Sequence, residues 1–339
     1  MSKKMLFVVG LLLLAAFALT ACAGDAGPAG PAGPEGPQGE QGEAGPAGES
    51  VSVADLTCTE CHNDTTIITG KKAAWETSLH SAGTSAAYAG GRDGCAACHS
   101  GGTFKEMVAA GANPGNYEGD VMEVTHQDCR TCHQVHTTYT GDDWALTTVE
   151  PAVVYAFEGV TFEGGTGNLC ATCHVPRRGF ELDAEGLVDV SSTHWGPHHG
   201  PQAAMLLGIG GAGEVEGKAS GHYTLVENTC VSCHVGENDN HSFNPAVASC
   251  TECHADVEDF NVNGTQTEVE ELLVELGEKL EAEGMYELEA NHPVVGKYEA
   301  AKGAALWNYI YIAVEDKSVG VHNPAYTRAL LEASLAAFE

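Results

Sequence analysis

Basic side chains are scarce in this chain, which has 15 lysines and arginines against 47 aspartates and glutamates. The formal net charge of −32 at pH 7 excludes nucleic acids and anionic surfaces as expected partners. Long apolar runs are also lacking, since the run at residues 5–18 is too short to cross a bilayer as a helix. Glycine-rich stretches at residues 90–94 and 208–213 interrupt any long periodicity. The composition therefore predicts an acidic, loop-rich protein.

Twelve of the 13 cysteines lie in six copies of one pattern, Cys-x-x-Cys-His. The copies are Cys58-Cys61-His62, Cys95-Cys98-His99, Cys129-Cys132-His133, Cys170-Cys173-His174, Cys230-Cys233-His234 and Cys250-Cys253-His254. This pattern predicts covalent c-type haem attachment, in which both thiols bond the porphyrin and the histidine is the proximal iron ligand. We predict six covalently bound haem c groups, each holding iron.

Zinc sites and redox disulfides also use Cys-x-x-Cys pairs. Neither needs a histidine after the second cysteine, and all six pairs have one. The histidines therefore favour haem.

The first 21 residues have the layout of an export signal. Lys3 and Lys4 precede the apolar run, and Leu19-Thr20-Ala21-Cys22 follows it. This ending resembles a bacterial lipoprotein signal, which implies a signal peptide at residues 1–21 and lipidation of Cys22. Ala23 follows the cysteine where a signal for retention in the inner membrane usually has aspartate. The resemblance therefore implies the outer membrane, either at the cell surface or on its periplasmic face. An ordinary signal peptide with an incidental cysteine is the alternative.

Glycine occupies every third position from Gly24 to Gly48. This Gly-X-Y period is that of collagen and predicts a stalk over residues 22–50, whose periodic part, Gly24 to Ser50, would reach roughly 80 Å at about 3.1 Å per residue. The charged residues of the stalk are all acidic, so neighbouring chains would repel one another. A stiff monomeric spacer is the main hypothesis, and a homotrimer formed through the stalk is the alternative.

The rest of the chain predicts a multihaem cytochrome c fold that is mainly α, with extensive loops and little sheet around six haems. We expect a haem-binding domain at residues 51–260 and a helical segment packed on it at residues 261–339. Three helices are predicted there: residues 268–283, whose apolar residues share one face, residues 297–314, and a last helix with Asn323 as N-cap and Pro324 in its first turn.

Ten histidines lie outside the motifs, which exceeds the six distal ligands needed for bis-histidine coordination. His126 and His136 each lie close to a motif in sequence and are expected to serve a neighbouring haem. Adjacent side chains diverge, so only one of His198 and His199 should face a given iron. The distal candidates are His80, His126, His136, His198, His199, His222, His241 and His322. Methionine ligation at Met107, Met122, Met205 or Met285 is the alternative.

Three stretches beyond the motifs carry a resemblance to a known group. They are residues 196–202 with Met205-Leu206, residues 229–234 preceded by His222, and residues 320–324 with Tyr326. In these the chain resembles the multihaem c-type cytochromes of the outer surface of metal-respiring bacteria. The resemblance implies electron transfer through stacked haems, as part of extracellular electron transfer or anaerobic respiration. The stalk is not part of that family pattern.

The expected function is therefore electron transfer rather than catalysis. The acidic surface suits basic redox partners such as other multihaem cytochromes, and soluble metal ions or metal oxides as acceptors; the alternative is that the charge serves solubility alone. A rival hypothesis is a reductase of a small nitrogen or sulfur oxyanion with one open haem near His198 and His199. No Cys-x-x-Cys-Lys motif occurs to support it. A scaffold or filament subunit is a third hypothesis.

Overall fold

The structure is a computed structural model that describes residue 62 and residues 66–198, 200–236 and 239–339. The predicted signal peptide, the lipidation site Cys22 and the collagen-like stalk lie outside the described residues, as do Cys58, Cys61 and His199. Within the described ranges, none of the helices has both the length and the hydropathy needed to cross a membrane.

Short helices separated by loops build the chain up to residue 260. They are Thr66–Glu76 (α1), Leu79–Ala82 (α2), Ser85–Ala89 (α3), Ala96–His99 (α4), Gly101–Ala109 (α5), Cys129–Cys132 (α6), Asn168–Ala171 (α7), Gln202–Leu207 (α8), Gly221–Thr224 (α9) and Cys230–His234 (α10). Single 3₁₀ turns lie at Gly141–Trp144, Gly165–Gly167, Val247–Cys250 and Val262–Gly264. Frequent glycines and such short elements leave the backbone dominated by turns.

The three longest continuous helical segments of the described chain follow residue 264. They are Thr265–Ala282 (α11), Ala300–Tyr309 (α12), which continues as a π-helical segment at Ile310–Asp316, and Pro324–Ala336 (α13). Asn323 caps α13, since its side-chain oxygen accepts a hydrogen bond from the backbone N–H of Tyr326 at 3.2 Å. Pro324 occupies the first turn, where its missing N–H costs nothing.

Three two-stranded antiparallel sheets account for the strands of the described residues. The pairs are Ala152–Val153 (β1) with Thr161–Phe162 (β2), Leu187–Val190 (β3) with Gly296–Glu299 (β6), and Tyr286–Glu287 (β4) with His292–Pro293 (β5). The pairing of β3 with β6 runs from Leu187 opposite Glu299 to Val190 opposite Gly296. The prediction of a mainly helical, loop-rich fold with little sheet is confirmed.

The largest apolar core joins α11, α12 and α13 to β3 and to residues near α8. Trp307 on α12 lies between Phe180 and Trp195, with ring centres 5.8 and 5.2 Å away, and its indole N–H donates to the Gly210 carbonyl at 2.8 Å. Tyr311 donates to the Ile209 carbonyl at 2.7 Å. The C-terminal helices thus fix the glycine-rich loop that follows α8.

One boundary of the predicted helices was wrong. The helix expected over residues 297–314 begins at Ala300, because Lys297 and Tyr298 pair with β3 as part of β6. The other two predictions are confirmed: α11 buries Val269, Leu276 and Leu280 on one face, and α13 begins after Asn323.

Candidate haem-binding sites

Each described Cys-x-x-Cys-His motif forms about one turn of helix. The backbone N–H of the motif histidine donates to the carbonyl of the first cysteine, at 3.0 Å for His99, 2.8 Å for His133, 2.9 Å for His174 and 2.9 Å for His254. Residues three and four apart share a face of such a turn. Both thiols and the imidazole therefore leave the backbone on the same side. Sites 1 to 6 are numbered by the order of their motifs in the chain.

All six motif histidines have a second histidine ring opposite them. The ring-centre distances are 6.1 Å for His62–His136, 6.2 Å for His99–His198, 6.3 Å for His133–His241, 6.2 Å for His174–His80, 6.3 Å for His234–His322 and 6.3 Å for His254–His222. The six partners come from six different positions and no partner is shared. Each pair defines one of the six sites.

The spacing of the pairs fits a metal ion between the two rings. An imidazole nitrogen lies about 2.0 Å from a bound transition metal and about 1.1 Å from its own ring centre, so two rings on opposite sides of one ion have centres about 6.2 Å apart. Aromatic rings in direct contact have centres spread over about 4.5–7 Å, whereas all six histidine pairs fall between 6.1 and 6.3 Å. No group of three or more His, Cys, Asp or Glu with metal-binding geometry occurs among the described residues. The side chains thus supply two axial ligands, which is the set that a haem iron requires.

The structure places some of the eight distal candidates opposite a motif histidine and not others. Six of the eight lie opposite a motif histidine, whereas His126 is exposed and is paired with none of those described, and His199 lies outside the described residues. His194 is exposed, and His292 lies 3.7 Å from the Glu287 carboxylate instead. His241 lies next to the fifth motif in the sequence, but its ring lies opposite His133 of site 3.

Hydrogen bonds at Nδ1 orient several of these rings. Nδ1 of His133 lies 2.7 Å from the Trp144 carbonyl, that of His234 lies 2.8 Å from the Phe243 carbonyl, and that of His222 lies 2.7 Å from the Val321 carbonyl. A carbonyl at Nδ1 requires the proton there and leaves Nε2 free to bind metal. These carbonyls belong to loops and carry no sequence signal.

Burial favours the neutral, metal-binding form of four of these imidazoles. Burial and then the neighbouring His174 lower the pKa of His80 to about 4. Burial also holds the pKa of His133, His174 and His234 below the usual value. Burial opposes protonation of His322 as well, but the adjacent Asp316 outweighs it and raises the pKa of that ring. Neutral imidazole is the form that binds metal.

Asp143 holds the loop that presents His136. Its carboxylate accepts hydrogen bonds from the backbone N–H groups of His136, Thr138 and Tyr139 at 2.8, 2.7 and 3.2 Å. His136 has a φ of 63°, which a non-glycine residue adopts only when its surroundings hold it there. The three bonds supply that restraint and direct the ring toward His62.

Neighbouring sites lie in contact through their own side chains. The Cys98 side chain of site 2 lies beside that of Cys173 in site 4, and the Cys170 side chain of site 4 lies beside that of Cys230 in site 5. Cys233 of site 5 lies within electrostatic range of Cys250 of site 6. Site 4 therefore adjoins both sites 2 and 5, and site 5 adjoins site 6.

Phe243 joins three sites. Its ring centre is 4.8 Å from that of His80 in site 4 and 6.0 Å from that of His241 in site 3, while its carbonyl lies against Nδ1 of His234 in site 5. The residue has a φ of 60°, so this loop is bent to bring one phenyl ring against two imidazoles. Phe243 thus contacts sites 3 and 4 through its ring and site 5 through its carbonyl.

Two comparisons with known proteins find a similarity to c-type cytochromes. Residues 47–175 match the family model described as cytochrome c7 and related cytochrome c. A solved structure, described as the outer cell wall cytochrome OcwA, matches with a TM-score of 0.52 and 21% sequence identity over 79% of this chain. The match covers 50% of that chain, so this protein spans about half the length of its structural relative. No curated protein gives a significant match. These findings support a multihaem c-type cytochrome that transfers electrons.

Proposed function

We propose that the chain binds six c-type haems, each held between two histidines, and conducts electrons among them. The observation that carries the proposal is the set of six histidine pairs, each with ring centres 6.1 to 6.3 Å apart. The proximal ligands are His62, His99, His133, His174, His234 and His254. The distal ligands are His136, His198, His241, His80, His322 and His222, in the same order of sites.

Haem iron supplies a one-electron ferric–ferrous couple whose potential depends on axial ligands, hydrogen bonds and burial. The chain contributes the two imidazoles, fixes their orientation through carbonyls at Nδ1 and brings the sites into contact. The thiol contacts between sites 2, 4 and 5 and the packing of Phe243 support electron exchange between neighbouring sites. Site 4 adjoins sites 2, 3 and 5, so we infer that it is a branch point.

The same pairs argue for a conduit rather than an enzyme. A reductase needs an iron with an open position, and each motif histidine has a partner ring opposite it. His198, near which an open site was considered, lies 6.2 Å from His99. We therefore propose a protein without a catalytic residue of its own.

Two measurements on the purified full-length protein test this function. Intact mass and pyridine haemochrome absorption count the covalent haems, and we expect six per chain. Electron paramagnetic resonance of the oxidised protein should show low-spin ferric signals throughout. A substantial high-spin signal would overturn full bis-histidine ligation. His136→Ala should remove the distal ligand of one haem and produce a high-spin signal. The matched control His126→Ala should leave all haems low-spin.

We further propose that the protein works on the outer side of the cell, held through a lipidated Cys22 and set off from the membrane by the stalk at residues 22–50. The lipoprotein-like signal and the collagen-like period support this placement. The structural relative is described as an outer cell wall cytochrome, which agrees with it. Other multihaem cytochromes, soluble metal ions and metal oxides are the proposed partners. Cys22→Ala should release the protein from the membrane fraction, and retention there would contradict lipid anchoring.

A further inference from the structure

Asp316 is a buried carboxylate that contacts one of the paired histidines. Its side chain is fully buried, and its Oδ1 lies 2.7 Å from Nδ1 of His322. Ser318 donates to the other oxygen through its hydroxyl and through its backbone N–H, the latter at 3.3 Å. The Ser318 hydroxyl also accepts from the backbone N–H of His322 at 3.2 Å. The carboxylate is therefore held in place against the ring.

Other rings among the six pairs contact neutral oxygens at Nδ1. Backbone carbonyls serve His133, His222, His234 and His241, and the side-chain oxygen of Gln202 serves His174 at 3.1 Å. A carboxylate is a stronger acceptor than a carbonyl, since it carries a full negative charge. Hydrogen bonding to a carboxylate makes an imidazole a more basic ligand. His322 therefore differs from these five rings in both basicity and nearby charge.

We propose that Asp316 lowers the reduction potential of site 5, the site of His234 and His322, below that of the adjoining site 4. The inference rests on the proposed bis-histidine ligation. A more basic ligand and a buried negative charge both stabilise ferric iron over ferrous iron, because the ferric state carries one more positive charge. The low dielectric around a fully buried carboxylate keeps this effect unscreened.

The position of site 5 gives this tuning a role. Site 5 adjoins site 4 through Cys230 and site 6 through Cys233. Gln202 connects the two ligand sets directly: its oxygen contacts His174 of site 4, and its amide donates to the Glu315 carbonyl, next to Asp316, at 2.9 Å. At equilibrium an electron is then held on site 4 rather than on site 5, and site 5 acts as an uphill step for electrons that pass from site 4 toward site 6.

The test is a spectroelectrochemical titration of the six-haem protein and of Asp316→Asn. We expect the midpoint potential of one of the six one-electron components to rise by at least about 59 mV. For one electron, that shift corresponds to a tenfold change in the equilibrium constant. The ring planes of His234 and His322 are tilted by 45°, whereas the other pairs fall at 27–28° or 71–79°. The relative orientation of axial imidazoles shapes the low-spin resonance signal, so the changed signal can be assigned to site 5.

Two further variants keep the result interpretable. Asp189→Asn removes the same charge from the exposed face of β3 and should leave all six components in place. Ser318→Ala removes a donor from Asp316 and should move the site 5 component downward, opposite to Asp316→Asn. The proposal is overturned if Asp316→Asn shifts no component or if Asp189→Asn shifts one equally. Fewer than six low-spin haems in the unaltered protein would instead contradict the ligation itself.

Discussion

Asn308 is a buried amide that ties α12 to the glycine-rich loop. Its side-chain oxygen accepts from the backbone N–H of Ala212 at 2.7 Å, and its nitrogen donates to the Ala212 carbonyl at 3.1 Å and to the Ser334 hydroxyl at 3.0 Å. Asn308 and Ala212 are each only 2% exposed. One side chain therefore satisfies both backbone groups of a residue that water does not reach.

Replacement of Asn308 by alanine should lower the free energy of unfolding by about 2–4 kcal/mol, because the N–H and carbonyl of Ala212 lose their partners inside the core. Chemical denaturation followed by far-ultraviolet circular dichroism measures this loss. Ser334→Ala is the matched control, since it removes one hydroxyl from the same network and should cost about 1 kcal/mol. Equal losses in the two variants would contradict the role given to the Ala212 contacts.

At the scale of single residues, the sequence predicts the local geometry of each motif but not which distal candidate lies opposite which motif histidine. The spacing of a Cys-x-x-Cys-His motif is local, so one turn of helix determines its geometry. The ring opposite His174 belongs to His80, and the ring opposite His133 belongs to His241, so long-range folding decides both pairs. Asp316 had no sequence signal, because an acid in an acidic chain is indistinguishable from a surface residue. Gln202 lies in the stretch 196–202 that carries the resemblance, but nothing local predicts its contact with His174.

At the scale of elements, α12 packs on β3 at Gly303, so the helix presents no side chain to the strand at that point. A Cβ added at Gly303 would lie 2.3 Å from Cγ2 of Val188 and 2.5 Å from its Cβ. Val188 is fully buried in the largest core, so it cannot move aside. Glycine at position 303 thus sets the distance between the helix and the small sheet of β3 and β6.

Gly303→Ala should lower the free energy of unfolding by about 1–3 kcal/mol from overpacking, although alanine is the better helix former by about 1 kcal/mol. Thermal or chemical unfolding of the single and double variants measures the effect. In a Val188→Ala background the same change should cost less or stabilise, because the shortened side chain leaves room for the new methyl group. A cost that is the same in both backgrounds would show that Val188 is not the obstacle.

Local signals explain which elements could be predicted. Asn323 and Pro324 mark the start of α13 through capping geometry that depends on neighbouring residues only. The start of α12 was placed too early, because Lys297 and Tyr298 have no local feature that forbids a helix. Their strand conformation comes from pairing with β3, more than a hundred residues earlier in the chain.

At the scale of the whole molecule, the composition predicts the character of the fold, because frequent glycines and closely spaced motifs leave room only for short elements up to residue 260. The sequence predicts short helices around the motifs and little sheet, and both are found. The contact of one site with another could not be predicted, because it depends on how the loops between motifs fold. The negative charge is a property of the sequence alone and bears directly on function.

The formal net charge of −32 should make electron exchange with small acceptors depend on their charge. Opposite charges attract over a screening length of about 30 Å at 0.01 M salt but only about 3 Å at 1 M. Reduction of a cationic acceptor such as hexaammineruthenium(III) by the reduced protein should therefore slow by about tenfold between these salt concentrations. Stopped-flow absorption of the haem bands measures the rate. Ferricyanide, an anionic acceptor, is the matched control and should speed up over the same range; a salt dependence of the same sign for both would contradict electrostatic steering by the acidic surface.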